Sequence, residues 1–149
     1  MCRCRAIRWR STPGFALGPV GQIALGVADL ARAEAFYGGV LGLPVLRRWQ
    51  GEEGERSIWF DLGDGGFLAV ERVAGGPPRH DGWNSDDAGI HLVALAIERG
   101  ARDTWEAHLT AAGTPVVHRT DYTLYVRDPE GNRVGLSHWP EAETESETG

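Results

Sequence analysis

Few of the residue types that do covalent chemistry stand in a pattern that would let them do it. Ser57, Ser85 and Ser137 lack the Gly-x-Ser-x-Gly turn that exposes a nucleophilic serine. Gly63 to Gly66 reads Gly-Asp-Gly-Gly with no Lys or Thr after it, so it is a turn rather than a phosphate loop. Cys2 and Cys4, one residue apart, cannot close a zinc site. His108 falls on the apolar side of a helical pattern, where it packs or caps, and His80, His118 and His138 fall in loops or on the surface. What remains is a set of aromatic and polar residues on strands. Because strand residues alternate faces, Trp59, Asp61, Phe67 and Glu71 share one side, and Thr123, Tyr125, Arg127 and Ser137 share another. Their chemistry is binding chemistry: stacking and cation–π contact, each worth about 0.5–2 kcal/mol, beside two carboxylates. Trp59 and Phe67 would serve equally well as core.

The elements that position these residues are legible from periodicity. Gln22 to Val27 reads as a short buried strand, and Asp29 as the N-cap of a helix in which Leu30, Ala33, Phe36, Tyr37, Val40 and Leu41 recur at helical spacing. Gly42 and Pro44 end that helix. Val45 to Gln50, Ser57 to Leu62 and Phe67 to Val73 read as strands, with Gly-Glu-Glu-Gly-Glu and Gly-Asp-Gly-Gly in the turns between them. Ala74 to Gly89, rich in Gly, Pro and Asp, reads as a linker. The order then begins again: a strand over Ile90 to Ile97, a helix over Ala101 to Ala112 with Trp105, His108, Leu109 and Ala112 on one face and Gly113 as its stop, and a strand over Pro115 to His118. A hairpin of Tyr122 to Val126 and Arg133 to His138 completes it. Its turn, Asp128-Pro129-Glu130-Gly131-Asn132, combines a preset φ at Pro129 with side chains able to bond their own backbone.

The two halves align at nearly constant offset. Gln22 falls opposite Leu92 at an offset of 70, while Trp59, Ala69 and Glu71 fall opposite Tyr125, Gly135 and Ser137 at an offset of 66. The chain is therefore an α+β protein of two tandem βαβββ modules, residues 20–73 and 90–139 joined by a linker over 74–89. Neither module can bury its apolar sheet face alone, so they are expected to form a curved mixed-sheet cup with helices outside.

Bulk properties exclude some partners. The 149 residues carry a net charge of −6 and all 15 basic residues are arginine, which argues against nucleic acid and favours a neutral or cationic small molecule. No apolar run approaches the ~20 residues of a bilayer span, so no membrane partner is expected. Residues 1–19 form an Arg-rich leader without the apolar centre of a secretory signal and residues 140–149 an acidic tail, both expected to be disordered; organelle targeting is the alternative for the leader. Nothing implies an oxidising compartment, and a cytoplasmic location is expected.

Two stretches resemble the vicinal oxygen chelate superfamily, which includes glyoxalase I, extradiol dioxygenases, fosfomycin-resistance enzymes and bleomycin-resistance proteins. They are Asp29-Leu30 followed by Phe36 to Val45, FYGGVLGLPV, and the hairpin Asp128 to Leu136, DPEGNRVGL. The resemblance covers residues 20 to 139 and implies that a divalent metal, where one is used, is held by the first and last strand of each half. Carried onto this sequence, those positions are Gln22, Ala69, Leu92 and Gly135. Only Gln22 offers a donor, and one amide cannot hold a catalytic metal. A β-bulge that turned His91 inward would supply an irregular set of Gln22, Glu71 and His91, although the same slip would turn Val93, Leu95 and Ile97 the wrong way.

The expected function is accordingly that of a metal-free, cofactor-free binding protein of the glyoxalase/bleomycin-resistance type. It would sequester an aromatic or cationic organic compound such as an antibiotic in a cleft lined by Gln22, Trp49, Trp59, Asp61, Phe67, Glu71, Trp83, Tyr125, Arg127 and Ser137. The resemblance implies a homodimer with clefts at the subunit boundary. Trp49 would then contact ligand or partner subunit, and Trp83 would be a lid over the cleft or a cover for the dimer interface. The alternative is an enzyme: a lyase or dioxygenase using the Gln22, Glu71 and His91 set, or a metal-free one with Glu71 as base.

Overall fold

Each half of the chain has the strand–helix–strand–strand–strand order that its periodicity predicts. The computed structural model describes residues 17–75, 82–84 and 88–140. Cys2, Cys4, most of the linker with His80 and Ser85, and the tail after Pro140 lie outside the described residues. The chain divides into two compact units, Met1–Pro77 and Pro78–Gly149.

The first unit runs β1 (Gln22–Val27), α1 (Leu30–Glu34), β2 (Val45–Gly51), β3 (Gly54–Gly63) and β4 (Gly66–Arg72). Its sheet has the order β1-β4-β3-β2, with β1 parallel to β4 and the remaining pairs antiparallel. The second runs β5 (Val93–Ala96), α2 (Arg102–Ala111), β6 (His118–Arg119), β7 (Thr123–Arg127) and β8 (Arg133–Ser137). Its order, β5-β8-β7-β6, again places the first strand parallel to the last. The repeat extends to individual residues. Ala24 lies beside Ala69, which faces Trp59, and Ala94 lies beside Gly135, which faces Tyr125.

In the first unit, alternation sends Leu25, Val27, Ile58, Phe60, Leu68 and Val70 to a buried face. Leu30, Ala33, Phe36, Tyr37 and Leu41 are buried with them. The Asp29 side chain caps α1 by accepting from the Arg32 N–H at 3.1 Å, as the sequence predicts. The helix then departs from expectation. Ala35–Val40 is a π-helical turn in which the Leu41 N–H reaches back to the Phe36 carbonyl at 2.9 Å. Gly38 makes the fit possible, because a Cβ there would lie 3.3 Å from the Phe60 ring.

Two strand boundaries and one helix face in the second unit correct the sequence reading. The strand expected over Ile90 to Ile97 is regular only over Val93–Ala96; Gly89 takes a φ of +135° and Ile90 is 81% exposed. The strand expected over Pro115 to His118 is instead His118–Arg119, and of the earlier residues Val117 donates its N–H to Tyr125 at 2.8 Å. On α2, only Leu109 of the expected apolar face is buried, while His108 and Ala112 are exposed. Gly113, at φ +74°, ends α2 in a Schellman arrangement: Thr114 N–H bonds Leu109 O and Gly113 N–H bonds Thr110 O.

The β7–β8 turn is organised by one buried carboxylate. Asp128, 5% exposed, accepts from the backbone N–H groups of Glu130 at 2.9 Å and Asn132 at 2.7 Å, and from the Asn132 side-chain amide at 2.9 Å. An Asp128→Ala variant is expected to lose about 2 kcal/mol of stability because these donors lose their acceptor, measurable by denaturant unfolding. On the first unit's surface, Arg48 ties α1 to β3 by pairing with Glu34 and, at 3.2 Å, with Glu55. Hydrogen bonding to Arg48 holds the Glu34 carboxyl below its ordinary range. Its contribution is therefore complete above the unfolded carboxylate value of ~4.3 and fades as pH falls through the lowered folded value. With the Glu34 side chain 36% exposed, screening limits the gain to about 0.5 kcal/mol. The stability difference between wild type and Glu34→Gln, followed from pH 7 to pH 3 at low salt, should shrink toward zero.

Candidate functional site

On the sheet face opposite the core of the first unit, an aromatic row crosses three strands. Register places Trp49 opposite Ser57, Trp59 opposite Ala69, and Phe67 between Gln22 and Asp61. Trp59 stacks on Phe67 at 4.3 Å and 20°, and Trp49 meets Trp59 at 5.3 Å with a 58° tilt. Arg47, opposite Trp59 on β2, swings its guanidinium to 3.8 Å from the Trp49 ring centroid. The Trp49 and Trp59 indole N–H groups and the Ser57 hydroxyl are buried without hydrogen-bond partners. Next to the row the floor is low, made by Ala24, Gly26 and Ala69.

The polar residues predicted for this face are spread along it. Gln22 is exposed at one end, opposite Phe67, and Glu71 lies four residues from Phe67 at the other end, opposite Gly26 and Ser57. Four residues of strand separate them by about 13 Å. Asp61 is occupied locally, its Oδ1 accepting from the Gly63 N–H at 2.8 Å across the β3–β4 turn. The sequence reading missed Arg47; its place opposite Trp59 depends on the irregular pairing between Val45 and Arg47.

The corresponding face of the second unit is filled by the chain itself. Trp83 lies against it, stacked on His118 at 4.0 Å and 17° and edge-on to Tyr125 at 4.7 Å. The Arg133 guanidinium covers the same indole at 4.2 Å. Arg127 donates to the carbonyls of Gly82 at 2.7 Å, Trp83 at 3.2 Å and Gly131 at 2.8 Å. Ser137 is taken up in the fold: its hydroxyl accepts from Thr123 Oγ1 at 2.8 Å and from the Trp139 N–H at 3.1 Å. His118, read from sequence as a loop or surface residue, belongs to this cluster instead, because β6 pairs it directly with Tyr125. Arg133 was not singled out either, although alternation places it on the same face as Gly135 and Ser137, opposite Arg127.

A family model for the Glyoxalase/Bleomycin resistance protein/Dioxygenase superfamily matches residues 20–136, well over half of the chain. The chain belongs to this superfamily. A glyoxalase/dioxygenase from Nostoc punctiforme shares the fold at 20% identity and a TM-score of 0.65, covering 79% of this chain and 88% of that one. Lactoylglutathione lyase from Agrobacterium tumefaciens aligns at 26% identity and TM-score 0.60, over 80% and 92% of the respective chains. A fosfomycin resistance protein, FosX, from Listeria monocytogenes, solved with Mn(II) and 1S,2S-dihydroxypropylphosphonic acid, aligns at 16% identity and TM-score 0.62, over 80% and 90%. No curated protein matches the sequence. Among the described residues, no helix is long and apolar enough to cross a membrane.

Superfamily membership raises the question of a metal, and the donor set does not fit one. Ala69 is fully buried, and a Cβ on Gly135 would lie 3.1 Å from the Thr123 methyl and 3.3 Å from Leu92 Cδ1. Leu92 thus stands over Gly135, where a ligand side chain would have to project. Val93 pairs with Val134 in unbroken parallel register, and the His91 ring lies against Arg133, its Nδ1 2.9 Å from Nη1. Among the described residues no three His, Cys, Asp or Glu side chains are grouped to hold an ion. Because the hydrogen bond to Ser137 pins Thr123, Gly135→Ala should overpack this spot and cost about 1–2 kcal/mol, detectable as a lowered Tm.

Proposed function

We propose that this superfamily member is a binding protein for a flat aromatic compound, neutral or cationic, taken up on the open sheet face of the first unit. The observation that carries the reading is the aromatic row of Trp49, Trp59 and Phe67, which is only partly buried and keeps two indole N–H groups unpaired. Buried polar groups without partners are costly in a folded chain, and a ligand acceptor would relieve that cost. Arg47 supports the same reading from the other side: it is itself a planar cation seated on Trp49. The Glu71 side chain, half-exposed on the same face, makes no hydrogen bond or ion pair with the described residues and supplies a negative charge at the edge of the row.

Binding without a metal is the preferred chemistry because the positions that would carry donors hold Ala69, Leu92 and Gly135. Sequestration in the manner of a bleomycin-resistance protein, homodimerisation and a cytoplasmic location belong to the same proposal. Proflavine, a flat aromatic cation, is a suitable probe, with binding followed by quenching of tryptophan fluorescence and by calorimetry. Saturable binding is expected, weakened about tenfold by Trp59→Ala or Trp49→Ala, in line with a stacking contribution of about 1–1.5 kcal/mol. Arg47→Ala should strengthen it severalfold by vacating the Trp49 ring. Binding that ignores all three substitutions would sink the proposal, as would stoichiometric zinc, iron, manganese or nickel lost on Glu71→Ala.

A further inference from the structure

Arg133 is an unusual residue to find buried. It is 4% exposed, its Nε has no hydrogen-bond partner, and no carboxylate pairs with it among the described residues. Its other contacts are uncharged or weakly basic: the His91 ring at Nη1, the Trp83 carbonyl at Nη2, and the Trp83 indole across the guanidinium plane. A buried cation without an anion is normally excluded by its desolvation cost. Guanidinium is also the side chain best shaped to receive a carboxylate through two parallel donors.

What occupies this place now describes what would fit it. The occupant is an indole ring with two carbonyl oxygens beside it. Arg133 covers the ring on one contact and His118 stacks on it at 4.0 Å, while Tyr125 closes the edge at 4.7 Å. The oxygens of Gly82 and Trp83 receive Arg127 Nε and Nη2 at 2.7 and 3.2 Å, and Arg133 Nη2 donates to the second of them. A flat ring beside a pair of acceptor oxygens is the outline of an aromatic carboxylate, with the one difference that backbone carbonyls carry no charge to neutralise Arg133.

We propose that the second unit holds a binding site for an aromatic carboxylate, built from Arg127, Arg133, His118 and Tyr125, and that Trp83 occupies it as an internal surrogate. This site is separate from the aromatic row of the first unit and does not depend on the function proposed for it. An incoming carboxylate displaces the Gly82 and Trp83 carbonyls from the two guanidinium groups, and its ring replaces the indole on His118. No bond is made or broken; the gain is an ion pair for Arg133 in a dry setting.

Indole-3-acetate and its neutral isostere indole-3-acetamide test this directly by calorimetry on the full chain. Trp83→Ala should bind indole-3-acetate at least tenfold more tightly than wild type, because the surrogate ring is gone. The acetamide should bind that variant at least tenfold more weakly than the acetate. In the Trp83→Ala background, Arg133→Gln should lower acetate affinity at least tenfold and His118→Ala severalfold. Since a change at buried Arg133 can disturb folding, the half-buried His118 and the acetate/acetamide ratio provide a readout that leaves Arg133 in place. Equal affinity for acetate and acetamide, or no gain on Trp83→Ala, would overturn the proposal. Either result leaves the proflavine experiment, whose variants lie in the other unit, free to succeed or fail by itself.

Discussion

The parallel pairing of the first strand on the last, repeated in each unit, is the constraint on which everything else rests. It sets Ala24, Ala69 and Trp59 in one rank and Ala94, Gly135 and Tyr125 in another. Side chains alternate faces with a period of two, so a slip by one residue would send Leu68, Val70 and Phe60 to the open side and the aromatic row into the core. The buried faces hold the registers in place: Ile58, Phe60, Leu68 and Val70 in the first unit and Leu124, Val126 and Val134 in the second are fully buried. The open faces are the by-product of that arrangement.

The two open faces have diverged while sharing one scaffold. Small residues form the floor of each, Ala24, Gly26 and Ala69 in one and Ala94, Ala96 and Gly135 in the other. In the first unit the aromatic side chains stack on one another and leave polar atoms unsatisfied. In the second, Arg127 and Arg133 stand where the first has Asp61 and Phe67, and a tryptophan from the connecting segment lies against them. A chain with net charge −6 thus presents one aromatic surface edged by Glu71 and one buried cationic cluster around Arg133 that Trp83 covers.

The strand order, the repeat, the Asp29 cap and the Asp128 turn were legible in the chain because each depends on local chemistry or on a period. That Ala69, Leu92 and Gly135 occupy equivalent strand positions was legible for the same reason, since a repeat offset identifies equivalent positions without coordinates. Less was visible where pairing became irregular. The widened turn at Ala35–Val40 satisfies helical spacing as well as a regular helix does, and only the approach of Gly38 to Phe60 distinguishes them. The shortened β5 depends on Gly89 and on where Val134 ends the ladder, neither of which affects an apolar run such as Ile90 to Ile97.

The sites divide along the same line. Alternation alone assigns Trp59, Phe67 and Glu71 to one face and Tyr125, Arg127 and Ser137 to another, because side-chain period is a property of the strand. Which of these remain available is a property of the fold. Ser137 is consumed by Thr123 and Asp61 by its own turn, while Arg47 is placed by its register with Trp59 and His118 and Arg133 by contact with the distant Trp83. Trp83 is the clearest case: in the sequence it is a tryptophan with no core to join, and only tertiary contact with two arginines and a histidine gives it one. Local preference is encoded residue by residue, but burial, charge compensation and occupancy arise when distant segments meet, and those decide which side chains the open faces leave available.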